Sequence, residues 1–229
     1  MNQCANGQLF GANSNNSYAA AGLKGHTGID WTCDFGTPIY SDFNGIAYKV
    51  LTPGRPANDG SGFTVVFLLV DDGIECFEWL IGHCRPVIAE GAMVQKGQLI
   101  GYEENHGTVY AGNVQITLAM QAKGDKRGAH RHYQKRVLIP SKVYQYAGLS
   151  NYNDLPGSYR DGNGLYYRIA EFTNGYNGCM DPSKLVFTRD LWFNTFGYDV
   201  FVLQRLLKKL GYFTAPECTA FFGPATNKA

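Results

Sequence analysis

The sequence predicts a mainly β protein, an antiparallel sandwich or barrel, followed by a small α-helical segment. Between about residues 8 and 140, short stretches rich in β-branched and aromatic residues alternate with glycine-containing turns. The chain has 229 residues and 28 glycines, so long uninterrupted helices are not expected. From residue 197 onward, apolar residues recur with a helical period. The length suits one full domain with a smaller appendage.

The first predicted unit, residues 1–140, contains all the strands that the pattern identifies. An Asn44-Gly45 pair predicts a hairpin that joins the segment around Ile39 to the strand that follows. A second hairpin is expected where Asp72-Gly73 separates two apolar stretches. The predicted strands cover residues 46–51, 63–70, 74–81, 96–101, 113–120 and 130–138.

Two further units follow in the predicted organisation. Residues 141–196 are rich in Tyr, Gly and Asn and predict a loop-rich connector. Residues 197–229 predict a helical unit, in which Asp199 caps the N-terminus of a helix and Gly211 follows its C-terminus. The expected apolar face of this helix comprises Val200, Leu203, Leu206, Leu207 and Leu210.

Charge and composition exclude several classes of function. The net charge is +1 and like charges do not cluster, which removes the electrostatic case for nucleic-acid binding. The longest near-apolar stretch, residues 63–70, is far shorter than the roughly 20 residues that span a bilayer. Residues 1–23 contain no Lys or Arg, so no signal peptide is visible. The six cysteines include no C-x-x-C pair, and their redox state is left open.

The five histidines carry the most informative pattern. His130 and His132 are two apart in a predicted strand, so their side chains are expected on one face. One imidazole can then bind a metal ion while the other carries a proton. The spacing does not say which of the two is the ligand, and a polar surface pair is the competing interpretation. Arg131, between them, is expected to point away.

Two other segments supply residues of matching chemistry. His26 and Asp30 are four apart in a glycine-flanked segment, and their nitrogen and oxygen donors suit zinc. His83 ends the second predicted hairpin, where a structural role is the alternative. Together the residues give two histidines and one aspartate for a three-ligand zinc site, with two histidines to spare. Such a site leaves one position open for water, and the spare imidazoles can assist its attack.

In this order the motifs resemble the lysostaphin-type (LytM-like) zinc endopeptidases of cell walls. The resemblance covers about residues 8–138 and rests on Gly25-His26-Thr27-Gly28-Ile29-Asp30, Gly82-His83, Lys96 to Gly101, and His130-Arg131-His132. It implies a β domain of the duplicated hybrid motif type. It further implies zinc on His26, Asp30 and His132, with His83 and His130 as catalytic histidines. The implied reaction is hydrolysis of peptide bonds in peptidoglycan stems or cross-bridges.

The C-terminal segment resembles a small three-helix peptidoglycan-binding domain. The resemblance rests on Leu210-Gly211-Tyr212 and Phe222-Gly223-Pro224-Ala225-Thr226, and it stops where a third helix would begin, so an incomplete domain is expected. Peptidoglycan is the expected partner, and a monomer is expected. Action is expected outside the cytoplasmic membrane, either by a secreted enzyme or by a phage lysin.

Two other functions fit the same pattern. One is a peptidoglycan-binding or regulatory module of this fold that does not cleave. The other is a structural component of a phage tail. A complete set of metal ligands favours the enzyme.

Overall fold

The structure is a computed structural model that describes residues 4–13, 18–19, 22–140, 159–161, 164–168, 179–182, 187 and 190–229. Most of the predicted connector, residues 141–196, lies outside these ranges. Among the described residues, no helix is long and apolar enough to cross a membrane.

The described elements are mostly strands. The strands are β1 (Ala5–Asn6), β2 (Ile29–Thr32), β3 (Pro38–Tyr40), β4 (Gly45–Leu51), β5 (Val65–Asp71), β6 (Cys76–Gly82), β7 (Cys84–Pro86), β8 (Met93–Val94), β9 (Leu99–Glu103), β10 (Val109–Ala111), β11 (Val114–Ile116), β12 (Arg131–Pro140), β13 (Tyr159–Asp161), β14 (Gly164–Arg168) and β15 (Cys179–Met180). The helices are α1 (Leu118–Ala122), α2 (Tyr198–Lys209) and α3 (Pro224–Lys228).

The strands form one large sheet, one small sheet and a separate hairpin. The large sheet has the order β1-β2-β12-β6-β5-β4-β8, with β14 and β15 also pairing with β12 and β13 pairing with β14. The small sheet has the order β3-β9-β7, and β10 pairs with β11. Every described strand pair is antiparallel. The predicted mainly β, antiparallel class with a small helical C-terminus is confirmed.

Alternation along the central strands divides the large sheet into two faces. On β5 and β6, Val66, Leu68, Phe77 and Trp79 face a buried apolar core that also contains residues of the small sheet. Between them, Phe67 and Leu80 face the other way and line a groove, together with alternate residues of β12. The fold is therefore a sandwich on one face of the large sheet and an open groove on the other.

Two strand predictions are wrong in detail. The Asn44-Gly45 pair does not close a hairpin, because β3 pairs with β9 in the small sheet while β4 pairs with β5 and β8. The Asn44 side chain instead accepts a hydrogen bond from the backbone N–H of Lys96 at 2.8 Å. The strand predicted over residues 113–120 ends at Ile116, because the Thr117 hydroxyl caps α1 by accepting from the Met120 N–H.

The predicted helix near residue 199 is present, but its cap and buried face differ from the prediction. Gly197 is the N-cap of α2, and Asp199 lies in its first turn. Leu210 is 59% exposed, whereas Tyr198 is fully buried. The Tyr198 hydroxyl donates to the Cys76 carbonyl at 2.7 Å and accepts from the Cys76 N–H at 3.0 Å. Of the other residues on the predicted apolar face, Val200 is fully buried and Leu203, Leu206 and Leu207 are partly buried. The prediction missed Tyr198, which is buried because the helix start packs on the beginning of β6. Gly211 follows the helix with φ +84°, as predicted.

The cysteines, which the sequence left undecided, include one disulfide. It joins Cys4 to Cys33 and so ties the segment that precedes β1 to the residue that follows β2. The enclosed loop contains both His26 and Asp30. Cys76 and Cys84 are buried thiols.

Candidate metal centre

Strand pairing brings two of the predicted ligands side by side. In the register between β2 and β12, His132 lies opposite Asp30, and in the register between β12 and β6 it lies opposite Gly82. Residues directly opposite each other in antiparallel strands share a face. The side chains of His132 and Asp30 therefore meet on the groove face of the sheet.

The loop before β2 delivers the third predicted ligand. His26 is buried, and its backbone exchanges two hydrogen bonds with the segment near residue 12: its N–H donates to the Ala12 carbonyl at 2.8 Å, and its carbonyl accepts from the Gly11 N–H at 2.9 Å. Its ring Nδ1 faces the Leu9 carbonyl at 3.3 Å. A carbonyl only accepts, so the proton of the neutral ring belongs on Nδ1 and Nε2 is left with a lone pair.

Three donor atoms converge on one point. His26 Nε2 lies 2.9 Å from His132 Nδ1 and 3.3 Å from Asp30 Oδ1, and His132 Nδ1 lies 3.0 Å from Asp30 Oδ1. Tetrahedral zinc bound at about 2.0–2.2 Å holds its ligand atoms roughly 3.3–3.6 Å apart. The triangle is therefore nearly the size that a zinc ion needs, and its donor types are those that zinc prefers. The residues present fit the metal that the motifs imply.

The other two histidines of the set lie beside the triangle. His130 immediately precedes β12, and its Nε2 is 3.8 Å from Asp30 Oδ1. The rings of His83 and His130 are 4.5 Å apart between centroids. All five predicted site residues line one groove with a volume of about 820 Å³. The structure thus brings together every residue that the sequence singled out.

Both of these imidazoles are held in the tautomer that carries the proton on Nδ1, which leaves Nε2 free to act as a base. His83 Nδ1 lies 2.6 Å from the His106 carbonyl, and His130 Nδ1 lies 2.8 Å from the Gly128 carbonyl. Each Nδ1 must donate to its carbonyl, so each Nε2 keeps a lone pair. Two such lone pairs next to a metal triangle can accept protons from water.

The backbone of His83 is unusual for a residue with a side chain. Its φ is +58°, in the left-handed region, and its N–H donates to the Thr64 carbonyl at 3.0 Å. A left-handed residue between β6 and β7 interrupts the regular alternation of the strands. Strained residues of this kind cluster at functional sites. Here the conformation accompanies the hydrogen bond between His83 and His106.

Burial and neighbouring groups shift the pKa values of two residues in the site. Burial would raise the pKa of the Asp30 carboxyl, but its contacts with the imidazoles of His132 and His26 outweigh burial and hold that pKa well below its ordinary value. Burial, together with the neighbouring imidazole of His130, lowers the pKa of His83 to about 3. At neutral pH, Asp30 is therefore a carboxylate and His83 is uncharged.

Glycine 28 permits the close approach of the ligand loop to β12. A Cβ at this position would lie 2.0 Å from the Tyr133 carbonyl oxygen and 2.8 Å from His132 Cε1. Glycine at this position therefore lets two segments of the protein pack without a side chain between them.

Sequence reasoning missed other residues of the groove. Tyr18 lies with its ring 5.7 Å from that of His26, and its hydroxyl donates to Gln8 at 2.7 Å. Burial and the charge of Asp30 raise the pKa of Tyr18 to about 12. No motif marks Tyr18. His106 supplies the backbone carbonyl that orients His83, and no residue type in the sequence indicates a backbone role of this kind. Gln134 could have been found, because it follows His132 by two on one strand face.

Arg131 lies on the other side of β12, as strand alternation requires. Its Nε donates to Glu103 Oε2 at 3.0 Å, and Nη2 lies 2.7 Å from the Cys33 sulfur. The Arg131 side chain therefore does not line the groove, whereas His130 and His132 on either side of it do.

No protein-family model matches the chain, and no curated protein matches it. Among solved structures, the chain is similar to the catalytic domain of lysostaphin, an antimicrobial peptidase from Staphylococcus simulans. The identity is 20%, the match covers 58% of this chain and 80% of that chain, and the TM-score is 0.42.

Two other solved structures give similar values. LytU matches at 22% identity over 60% of this chain and 76% of its own, with a TM-score of 0.42. The catalytic domain of the prophage-encoded protein EnpA from Enterococcus faecalis matches at 22% identity. That match covers 58% of this chain and 81% of that chain, with a TM-score of 0.40. At these TM-scores, the case for an activity rests on the residues of the groove.

Proposed function

We propose that this chain is a zinc-dependent endopeptidase that hydrolyses peptide bonds in bacterial peptidoglycan. One observation carries the proposal. The donor atoms of His26, Asp30 and His132 converge within 3.3 Å of one another, and two imidazoles in the base tautomer stand beside them. A binding module needs a groove, but it has no need for this combination of ligands and bases.

The chain's own residues supply the binding and the proton transfers. His26, Asp30 and His132 would hold the metal. Zinc, when bound, supplies Lewis-acid chemistry, which polarises a peptide carbonyl and makes water more acidic. His130 Nε2, 3.8 Å from Asp30, accepts the proton of the attacking water and then passes it to the leaving amine nitrogen.

His83 has a different part from that of His130. Its Nδ1–H is engaged with the His106 carbonyl, and its low pKa keeps the ring uncharged at neutral pH. It therefore orients water by accepting a hydrogen bond at Nε2. With no proton on Nε2, the ring does not donate a hydrogen bond to the attacked carbonyl.

The proposed substrate is peptidoglycan, and the enzyme is proposed to act on the cell wall. Support comes from the motif resemblance, which covers both the residues of the groove and the C-terminal segment. The proposed place of action is the wall, outside the cytoplasmic membrane, and the C-terminal unit would raise the local concentration of the enzyme there.

Digestion of purified peptidoglycan, with mass analysis of the soluble fragments, tests the proposal. Fragments with new peptide termini are expected after zinc loading, and a chelator should abolish them. Binding to the wall without fragments, by protein that holds one zinc per chain, would reject the enzyme in favour of a binding module.

A further inference from the structure

The amide of Gln134 links the proposed ligand His132 to an ion pair between Arg136 and the buried Glu78. Gln134 is two residues beyond His132 on β12 and lines the same groove. Arg136 Nε and Nη2 lie 2.9 Å and 2.8 Å from one terminal atom of the amide. A guanidinium only donates hydrogen bonds, so this atom is the amide oxygen.

Arg136 is itself held in place. Its Nη1 donates to Glu78 Oε1 at 2.9 Å, and Glu78 is completely buried. Glu78 also accepts a hydrogen bond from the Tyr48 hydroxyl. Charge-assisted hydrogen bonds of this kind are stronger than those between neutral groups. The guanidinium therefore holds the amide oxygen of Gln134 on the side away from His132.

The nitrogen of the same amide must then face the metal centre. It lies 2.9 Å from Thr27 Oγ1 and 3.3 Å from His132 Nε2. Because the amide nitrogen donates, His132 Nε2 accepts, and the proton of the neutral ring is on Nδ1, where Asp30 accepts it at 3.0 Å. Yet Nδ1 is also the atom that faces His26 and Asp30 in the proposed metal triangle.

A metal ligand at Nδ1 needs the opposite arrangement. The lone pair must be on Nδ1 and the proton on Nε2, which then needs an acceptor. The amide oxygen of Gln134 could accept that proton, but Arg136 already uses it. The guanidinium of Arg136 and the Nε2–H of His132 therefore compete for the same amide oxygen.

We propose that Gln134 is a positioning residue that sets the tautomer of His132, and that Arg136 biases its amide against the tautomer that binds metal. This inference rests on the proposed zinc centre for its functional meaning. A carboxylate at position 134 resolves the competition, because one oxygen can accept from Arg136 and the other from His132 Nε2–H. The natural residue therefore keeps the affinity for zinc below what this site can reach.

Zinc affinity in Gln134→Glu, measured by competition with a chelator, is the first test. Mutating a residue that hydrogen-bonds to a metal-binding histidine typically changes the affinity for the metal by about 10–100-fold. Gln8→Glu is the control for charge, because Gln8 lines the same groove and accepts from Tyr18 rather than from His132. We expect Gln134→Glu to bind zinc about tenfold more tightly than Gln8→Glu. Equal affinities of the two variants would overturn the inference.

The second test reads the tautomer directly in metal-free protein. Long-range proton–nitrogen NMR at pH 8 should show the His132 proton on Nδ1 in the natural chain and on Nε2 in Gln134→Glu. A proton on Nε2 in both proteins would overturn the inference. This test needs no metal, so it decides the inference even if the natural chain binds no zinc, a result that would instead contradict the proposed function.

Discussion

At the residue scale, two histidines that are two positions apart have different proposed tasks. His132 Nδ1 belongs to the triangle of donor atoms, whereas His130 Nδ1 is engaged with the Gly128 carbonyl and its Nε2 points toward Asp30. The sequence placed both on one face but left open, from spacing alone, which was the ligand. The position of each ring relative to the triangle distinguishes the two residues, and spacing in the sequence does not contain that information.

Alanine variants of these two histidines should therefore separate metal binding from catalysis. His132→Ala is expected to lose zinc and activity together. His130→Ala should retain about one zinc per chain and lose on the order of 10²–10⁴ in turnover, the usual contribution of a general base. Zinc content by metal analysis and release of wall fragments provide the two measurements. Wall hydrolysis at the natural rate by either variant would contradict the assignment.

The low pKa of His83 predicts a dependence of stability on pH. In the unfolded chain His83 has an ordinary pKa of about 6.5, and in the folded chain burial lowers it to about 3. Between these values the unfolded chain binds a proton that the folded chain does not. The contribution of His83 to stability is therefore present above about pH 6.5 and is lost as the pH falls toward 3.

Thermal unfolding of metal-free protein between pH 7 and pH 4.5 measures this dependence. His83→Asn is the reference variant, since asparagine tolerates a left-handed backbone and does not titrate. The Tm of the natural chain should fall further than that of the variant by at least about 2–4 °C, the shift that 1 kcal/mol produces in a domain of this size. An equal fall in Tm for the natural chain and the variant would show that folding does not lower the pKa of His83.

At the element scale, the metal centre depends on how closely the loop before β2 approaches β12. The pattern of the sequence predicts the strand at β12 but no strand at β2, and the register of these two strands explains why Asp30 and His132 meet. It did not predict the reason for Gly28, because the neighbour of that glycine is a carbonyl 105 residues away in β12. Long-range packing of this kind cannot be recognised from local sequence.

Gly28→Ala should displace the ligand loop. The added Cβ would lie 2.0 Å from the Tyr133 carbonyl, so the loop must move and the triangle must open. Overpacking typically costs about 1–3 kcal/mol, and zinc affinity should fall with stability. Gly54→Ala is the matched control, because a Cβ there meets nothing within 4 Å. Equal zinc affinity in both variants would show that Gly28 does not position the loop.

At the scale of the whole molecule, two features tie distant parts of the chain together. The Cys4–Cys33 disulfide closes the loop that carries His26 and Asp30. The first turn of α2 packs on the β5–β6 turn through Tyr198. Composition and periodicity predicted a β unit and a C-terminal helix. They could not predict the contact between the two, because Leu residues at helical spacing look the same whichever face is buried.

Tyr198→Phe tests the contact between α2 and the sheet. The variant keeps the ring but leaves the buried N–H and carbonyl of Cys76 without the hydroxyl that both now use. Unsatisfied buried groups cost about 1–3 kcal/mol each, so denaturant unfolding should show a loss of at least that size. Tyr212→Phe, at an exposed tyrosine, should change stability by less than about 0.5 kcal/mol. Similar losses in the two variants would contradict the contact.

X-ray absorption at the zinc edge reports which atoms surround the metal and so tests whether His26, Asp30 and His132 bind it. We expect one zinc per chain with two imidazole nitrogens, carboxylate oxygen and at least one further oxygen, all at about 2.0–2.2 Å. A sulfur at about 2.3 Å, or a shell without imidazole, would place the metal elsewhere in the chain and contradict the account.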